Sequence, residues 1–150
     1  MIGNNFKIEV ITESNKIKQV LLSFDSYFPR ALSERIANLD NYAQKLADNS
    51  VFYIVTLEDK IIGFAACYCN EILTKQAFLT QIAVHDEYRR LYLGSKLLEF
   101  CIEKARRLGM EKLLLEVDDD NVSAHKFYAK LGFTNPQKAS DHSHFLEKFL

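Results

Sequence analysis

Apolar and polar positions alternate along the first part of the chain in the way that half-buried strands do. Residues 6–11 (FKIEVI) have this alternation and are predicted to form the first strand. Three more strand-like runs cover residues 51–57, 61–69 and 76–84. The turn residues 58–60 (EDK) separate the first two of these runs, so we expect an antiparallel hairpin there.

Helical spacing of apolar residues replaces this alternation between the first and second strands. Ser14 or Asn15 can cap a helix that runs to about Phe28 with its apolar residues on one face. Residues 31–49 are predicted to form short helical segments. The first half of the chain is therefore expected to contain one strand, then helices, then three strands.

Two clearer helical patterns follow in the second half of the chain. Apolar residues three or four positions apart extend from Leu93 to Leu108, and Gly109 is a suitable stop. Asp120 or Asn121 can cap the next helix, which is expected to end at Gly132.

The remaining apolar runs predict the last strands. LLLEV (113–117) is apolar enough to be buried on both faces, and a short strand is expected at Phe133. SHFLEKFL (143–150) alternates and could supply an edge of the sheet. Strands followed by strand–helix–strand–helix–strand predict an α/β fold, a mixed sheet with helices on both sides.

The composition of the chain excludes some classes of partner. The chain has 150 residues, of which 48% are hydrophobic and 26% charged, and this fits a single domain over residues 1–150. A net charge of −1 provides no basic field for nucleic acid, and no apolar run is long enough to span a membrane. The N-terminus does not have the pattern of a signal peptide, and Cys67, Cys69 and Cys101 lack metal-ligand spacing. We expect a cytoplasmic protein with buried, reduced thiols.

Residues 88–97 (YRRLYLGSKL) form the first candidate site, a turn between a strand and a helix. A helix N-terminus presents unpaired N–H groups and a partial positive charge, which together bind phosphate. Arg89 and Arg90 add charge there, Gly94 permits close backbone approach, and Ser95 adds a hydroxyl. A solvated turn with ordinary surface arginines has the same pattern, so the residues of this segment leave both interpretations open.

The second candidate site pairs Glu116, on a predicted strand, with Tyr128, on the inward face of the following helix. A carboxylate and a phenol can act as base and acid when both face one cleft. Taken alone, Tyr128 is more simply interpreted as a core aromatic. The neighbouring acidic run at residues 118–120 is either a solvated loop or a surface that attracts a cationic amine.

Two segments together resemble the GCN5-related N-acetyltransferases. HDEYRRLYLGSKLL resembles their acyl-CoA-binding segment, whose pattern is Arg or Gln, two residues, Gly, one residue, and Gly or Ala. NVSAHKFYAKLGF is similar to their later segment, which it matches at Asn121, Ala124, Tyr128, Gly132 and Phe133. The order of predicted elements also matches over essentially the whole chain.

The resemblance implies both a fold and an activity. The fold is a twisted, mostly antiparallel mixed sheet of six to seven strands, flanked by about four helices. A V-shaped splay is expected between the strands that end near Val84 and Val117. The activity is acetyl-CoA-dependent N-acetyl transfer to a primary amine, by direct attack in a ternary complex, without a metal. The acceptor is left open as a small-molecule amine, an amino sugar or a peptide amine, and the protein as a monomer or homodimer.

The resemblance also implies which residues would meet the cofactor. Backbone N–H groups near the helix start would hold the pyrophosphate, and the residues concerned are Arg89, Arg90, Leu91, Tyr92, Leu93, Gly94 and Ser95. The backbone of the preceding strand would meet the thioester and the pantetheine through Ile82, Ala83 and Val84. Asn121 would hydrogen-bond the cofactor, and Ala124 and Phe127 would pack on it.

For the chemistry, the resemblance implies that Tyr128 protonates the departing thiolate. Glu116 lies twelve residues before it and is the leading candidate for the general base, directly or through a water. Many relatives have a glutamate where this chain has Phe78. His85 is expected to be a turn residue rather than a base.

The first segment departs from the family pattern at Tyr92, which occupies the position of the first glycine. A positive φ there would cost about 1–2 kcal/mol. We expect a negative φ with the ring turned outward, so that acetyl-CoA binding survives.

An alternative interpretation is a catalytically impaired acyl-CoA-binding sensor or interaction module, in which Phe78 and Tyr92 reflect lost catalysis. The presence of Glu116, Asn121 and Tyr128 argues against it. A structural domain unrelated to CoA would require both matches to be coincidental.

Overall fold

The computed structural model describes residues 5–27 and 37–150. Seven strands form one sheet in the order β1-β2-β3-β4-β5-β7-β6. They are β1 (Phe6–Ile11), β2 (Ser50–Leu57), β3 (Lys60–Glu71), β4 (Gln76–Val84), β5 (Lys112–Asp118), β6 (Thr134–Lys138) and β7 (Ser143–Phe149). All neighbouring strands are antiparallel except β4 and β5. The predicted mixed, mostly antiparallel sheet is confirmed.

Four α-helices and two short 3₁₀ helices lie within the described residues. They are α1 (Ser14–Ser23), α2 (Leu39–Asn49), α3 (Leu93–Arg107), α4 (Val122–Lys130) and the 3₁₀ helices Asp25–Tyr27 and Asp86–Leu91. The parts of the predicted helical segments that fall on residues 28–36 lie outside the described residues.

The helices cover both faces of the sheet. On one face, Ile17 and Leu21 of α1 and Leu46 of α2 are fully buried against Phe52 and Phe64 of β2 and β3. On the other face, α3 buries its apolar stripe against the sheet, and all three cysteines lie in this second core. The burial predicted for the thiols is confirmed.

Turn chemistry accounts for the hairpin and for the helix ends. Glu58 and Asp59 have φ values of 48° and 67°, the backbone of a two-residue type I′ turn, and this confirms the β2–β3 hairpin. Gly109 and Gly132, at φ 81° and 92°, follow α3 and α4 and stop them as predicted.

Helix α1 differs from its prediction at both ends. Glu13, not Ser14 or Asn15, occupies the N-cap position, and the helix ends at Ser23 rather than near Phe28. Phe24 is fully buried, and its ring meets that of Tyr27 edge-on at 5.6 Å. The chain therefore tightens into a 3₁₀ turn, which brings both rings toward the sheet.

Two predictions for the second half of the sheet are wrong, and a third is displaced by one residue. β5 is not buried on both faces: Leu113, Leu115 and Val117 are buried in the core with α3, but Glu116 is exposed because α1 and α2 pack on β2 and β3 instead. β7 is not an edge strand, since it lies between β5 and β6. Phe133 packs in the core, and the strand begins after it.

Candidate active site in the β4–β5 splay

The candidate site begins where β4 and β5 separate. These two strands pair only from Gln76 with Lys112 to Leu79 with Leu115, and beyond that point the strands diverge. A cavity of about 310 Å³ opens between them. It is lined by Leu79, Thr80, Gln81, Ile82, Leu115, Glu116, Val117, Asp118, Asn121, Ala124 and Tyr128. The predicted splay is confirmed.

The backbone of β4 turns hydrogen-bonding groups toward this opening. The register against β3 shifts at Thr80, and beyond the shift His85 donates its N–H to Ile62 O at 2.9 Å. Because backbone groups alternate in direction along an antiparallel strand, the amides of Ile82 and Val84 point away from β3 and into the splay. Ala83 lines the cleft, but the same alternation directs its amide to β3.

A second cavity, of about 690 Å³, continues from the splay toward the start of α3. The two cavities share Ile82, Asn121, Ala124 and Tyr128. Further lining comes from Tyr27, Ala83, Val84, Arg89, Tyr92, Gly94, Ser95, Ser123, Lys126, Phe127, Lys130 and Leu131. A continuous cleft thus runs from the acidic end of the splay to the N-terminus of α3.

The start of α3 is open for an anion. Its N-cap residue Tyr92 makes no side-chain cap hydrogen bond, and the first amide of the helix to bond within it is Lys96 N–H, to Tyr92 O at 3.2 Å. The preceding amides have no helical acceptor by geometry, and Gly94 and Ser95 line the cavity. A Cβ on Gly94 would meet the Phe127 ring at 3.5 Å, an ordinary contact.

The prediction for the Tyr92 backbone is wrong. Its φ is 59°, in the left-handed region, because it lies between the end of the 3₁₀ helix and the start of α3, where the chain must change direction. The residue is 76% exposed, as expected for an outward side chain, although it also lines the second cavity. The glycine of the family pattern therefore corresponds to a position that does favour glycine.

Residues 89–95 contribute to the cleft in different ways. Leu93 is fully buried and Leu91 packs against the same core, so their side chains hold the loop in place. Arg90 is exposed and does not line the cleft. Arg89 lines it, and its guanidinium contacts Asp86.

Asn121 and Tyr128 lie at the junction of the two cavities. Asn121 caps α4 through Oδ1, which accepts from Ala124 N–H at 3.2 Å. Tyr128 is only 9% exposed, and burial raises the pKa of its phenol to about 12. Its ring packs between those of Phe127 and Phe133, at centroid distances of 5.2 Å and 5.7 Å. Both interpretations of Tyr128 therefore hold, since it is a core aromatic that also lines the cleft.

Glu116 lines the same 310 Å³ cavity as Tyr128. Its Oε2 accepts a hydrogen bond of 2.6 Å from the hydroxyl of Ser143, which is itself 2.7 Å from Ser140 Oγ. This chain of hydroxyls fixes the carboxylate at the wall of the splay.

The two other positions considered for a base, those of Phe78 and His85, do not line the cleft. Phe78 makes an edge-on contact with Phe145 of β7, at a centroid distance of 6.4 Å. His85 follows β4 directly, stacks on Phe24 at 4.3 Å, and places Nδ1 2.7 Å from Tyr27 Oη. Burial and the nearby Lys60 lower the pKa of His85. Its position in a turn matches the prediction.

Two lysines of the cleft were missed in the sequence. Lys126 and Lys130 lie one helical turn apart on α4 and give the second cavity a cationic wall, a spacing that was readable from the sequence. Tyr27 and Ser143 reach the site through the 3₁₀ turn and the β5–β7 register, which no local pattern reveals.

Within residues 5–27 and 37–150, no group of three or more His, Cys, Asp or Glu side chains could hold a metal ion. In the same part of the chain, no helix is long and apolar enough to cross a membrane.

Comparison with known proteins identifies the family to which the chain belongs. The sequence profile of the acetyltransferase (GNAT) family matches residues 17–133. The chain belongs to this family. The GNAT fold is also that of an acetyltransferase from Streptococcus agalactiae 2603, which superposes with a TM-score of 0.80 at 19% identity over 99% of this chain and 100% of that one. A PaiA N-acetyltransferase from Thermoplasma acidophilum, solved with coenzyme A, gives 0.75 at 17% identity over 96% and 99%.

GNAT relatives are also found by sequence. The [ribosomal protein bS18]-alanine N-acetyltransferase of Escherichia coli K12 is 32% identical over 92 residues, which are 61% of this chain and 60% of that protein. The camello protein of Xenopus laevis is 26% identical over 112 residues, 75% of this chain and 51% of that protein. The chain thus spans about half the length of these curated relatives.

Proposed function

We propose that this protein is an acetyl-CoA-dependent N-acetyltransferase that acts on a primary amine by direct transfer in a ternary complex. The observation that carries the proposal is the continuous cleft, which has Tyr128 and Glu116 in one cavity and the N-terminus of α3 in the next. Membership of the GNAT family and the fold shared with a coenzyme A complex support the same donor.

The cleft fits acetyl-CoA by its chemistry. The amides at the start of α3, with Lys126 and Lys130 across the cavity, suit the pyrophosphate. The outward amide of Val84 is available to the pantetheine arm, and that of Ile82 to the thioester carbonyl. An amide directed at this oxygen stabilises the negative charge that develops during attack, by about 3 kcal/mol.

Tyr128 is suited to act as the acid. Because burial raises the pKa of its phenol to about 12, Tyr128 carries its proton throughout the neutral range and can donate it to the departing thiolate. The three cysteines are buried in the core and do not line the cleft, which favours direct attack by the amine over a thioester on the protein.

Glu116 is suited to act as the base, and its surroundings favour a cationic acceptor. An ammonium group must lose a proton before it can attack, and the carboxylate of Glu116 lies in the same cavity as Tyr128. Asp118 lines that cavity too, so the acceptor end of the cleft carries two carboxylates. Electrostatic attraction then favours amines that are positively charged in solution, including peptide N-termini such as the substrate named for the E. coli relative.

The test is acetyl transfer from acetyl-CoA to a panel of polyamines, amino sugars, peptides and neutral aryl amines, followed by release of CoA thiol. We expect cationic amines to be the better acceptors, with KM values that rise with salt. Glu116→Gln should lower kcat/KM by about 100-fold, whereas the matched Glu103→Gln, on α3 outside the cleft, should not.

CoA binding without transfer to any amine would favour the sensor alternative. Transfer that is equally fast in Glu116→Gln would remove Glu116 as the base.

A further inference from the structure

We infer that Arg89 is a positioning residue that fixes the end of β4 for the pantetheine arm, rather than a ligand of the pyrophosphate. The inference rests on the proposed function, because it concerns how the donor is held. It arises from the contacts of the Arg89 side chain, which go to the protein itself.

Three contacts hold the Arg89 side chain. Its Nε donates to the carbonyl oxygen of Val84 at 3.3 Å. Its Nη2 lies 3.1 Å from a carboxylate oxygen of Asp86, one turn earlier in the same 3₁₀ helix. The guanidinium carbon lies 5.7 Å from the centre of the Tyr27 ring, so the cation also covers an aromatic face.

The contact with Val84 has the greatest consequence for the donor. The carbonyl of Val84 points away from β3 and lies beyond the last β4–β5 pair, so no neighbouring strand binds it on the side of the splay, whereas the N–H of the same peptide group, that of His85, donates to Ile62 O of β3. A hydrogen bond to the carbonyl oxygen fixes the strand end from the side of the following loop. The outward amide of Val84, which the proposed function assigns to the pantetheine, lies in the preceding peptide group, so the same contact restrains the strand end that carries this amide.

Tyr27 and His85 extend this arrangement on the other side. Nδ1 of His85 is 2.7 Å from the Tyr27 hydroxyl, and the Phe24 ring meets Tyr27 edge-on. The wall of the cleft formed by Tyr27 and Arg89 is therefore supported by His85, which follows β4 directly, and by Phe24, which follows α1.

The donor atom matters more than the charge. The pair with Asp86 joins two exposed side chains and contributes little, whereas the Nε hydrogen bond reaches the backbone of the cleft. Glutamine carries an N–H donor the same number of bonds from Cα as arginine Nε, and lysine has a methylene group at that position.

The experiment compares Arg89→Gln with Arg89→Lys in the full chain. CoA binding is measured by calorimetry and the binding of pantetheine, which has no phosphate, by NMR titration. We expect Arg89→Lys to bind both ligands about fivefold more weakly, the scale of one lost hydrogen bond, and Arg89→Gln to lose no more than about twofold. Arg106→Gln, on the far end of α3, is the control for loss of one positive charge.

The opposite ranking of affinities overturns the inference. In that case Arg89→Gln binds CoA more weakly than Arg89→Lys does, and both variants bind pantetheine equally well. That result would make the guanidinium a phosphate ligand. Amide hydrogen exchange over residues 82–92 of the ligand-free protein separates this question from the proposed function. Amide exchange should be faster in Arg89→Lys than in Arg89→Gln, even if the unmodified protein binds no CoA. Equal exchange rates in the two variants would also overturn the inference.

Discussion

The two segments that carry the family resemblance differ in what their residues do in the folded protein. In the second segment, Asn121 caps α4, Gly132 ends it at φ 92°, and Phe133 and Tyr128 are core side chains. In the first, the backbone at the start of α3 faces a cavity, and Tyr92 has a left-handed conformation that suits the missing glycine better.

This difference separates evidence for the fold from evidence for the activity. The matches in the second segment cap α4, end it and pack it against the core, so they identify the fold even in a protein without activity. The first segment serves the ligand with backbone groups, and it tolerates a departure at moderate cost. Tyr128 belongs to both categories, and changes at Tyr128, Asn121 and Tyr92 test this distinction.

The largest effect is expected from Tyr128→Phe. Loss of the acid should lower kcat by about 100-fold or more, with CoA affinity changed by less than about threefold. Because the pKa of Tyr128 is raised to about 12, its deprotonation should not reduce kcat of the unmodified protein below about pH 10. Measuring kcat of acetyl transfer as a function of pH tests both the loss in Tyr128→Phe and the pH dependence of the unmodified protein.

Tyr53→Phe is the matched control for this change. Tyr53 is also buried, and desolvation likewise raises its pKa to about 12, but it lies outside the cleft, near α3. An equal loss of turnover in both variants would reduce Tyr128 to a core aromatic.

A smaller effect, on stability, is expected from Asn121→Ala. It removes the cap of α4 and should lower the free energy of unfolding by about 1 kcal/mol. Asn121→Ser should restore most of that stability, because a serine hydroxyl can accept the same amide. Urea denaturation measures both variants, and equal stability of all three proteins would mean that this match has no folding role.

An effect on stability of similar size but opposite sign is expected from Tyr92→Gly. Glycine adopts the observed φ without the steric cost, so stability should rise by about 1 kcal/mol and Tm by about 2–4 °C. Tyr92→Ala keeps a Cβ in the left-handed region and should show no such gain. A lower Tm for the glycine variant would mean that the Tyr92 ring stabilises the loop more than its backbone strains it.

Local chemistry explains which parts of the fold were predictable. The β2–β3 turn and the two glycine stops depend on residues close in sequence, and all were predicted correctly. The end of α1 and the place of β7 depend on distant partners: Phe24 turns into the core, and β6 pairs on the outer side of β7. The exposed face of β5 was missed because LLLEV does not reveal which strands α1 and α2 cover.

The features of the site were likewise predictable where they depend on nearby residues and not where they depend on distant ones. Glu116 and Tyr128 were paired from their predicted places on a strand and on the following helix, and the structure brings them to one cavity. The φ of Tyr92 was predicted wrongly because it is set by the junction of two helices rather than by the preference of tyrosine. Ser143 reaches Glu116 only through the register of β5 and β7, which the sequence does not encode locally.

Calorimetric titration of the unmodified protein with CoA tests the central claim most directly, since every proposed role requires the donor to occupy the cleft. The account predicts saturable binding of one CoA per chain, weakened by salt because phosphates meet Lys126 and Lys130. No detectable binding at millimolar CoA would contradict it.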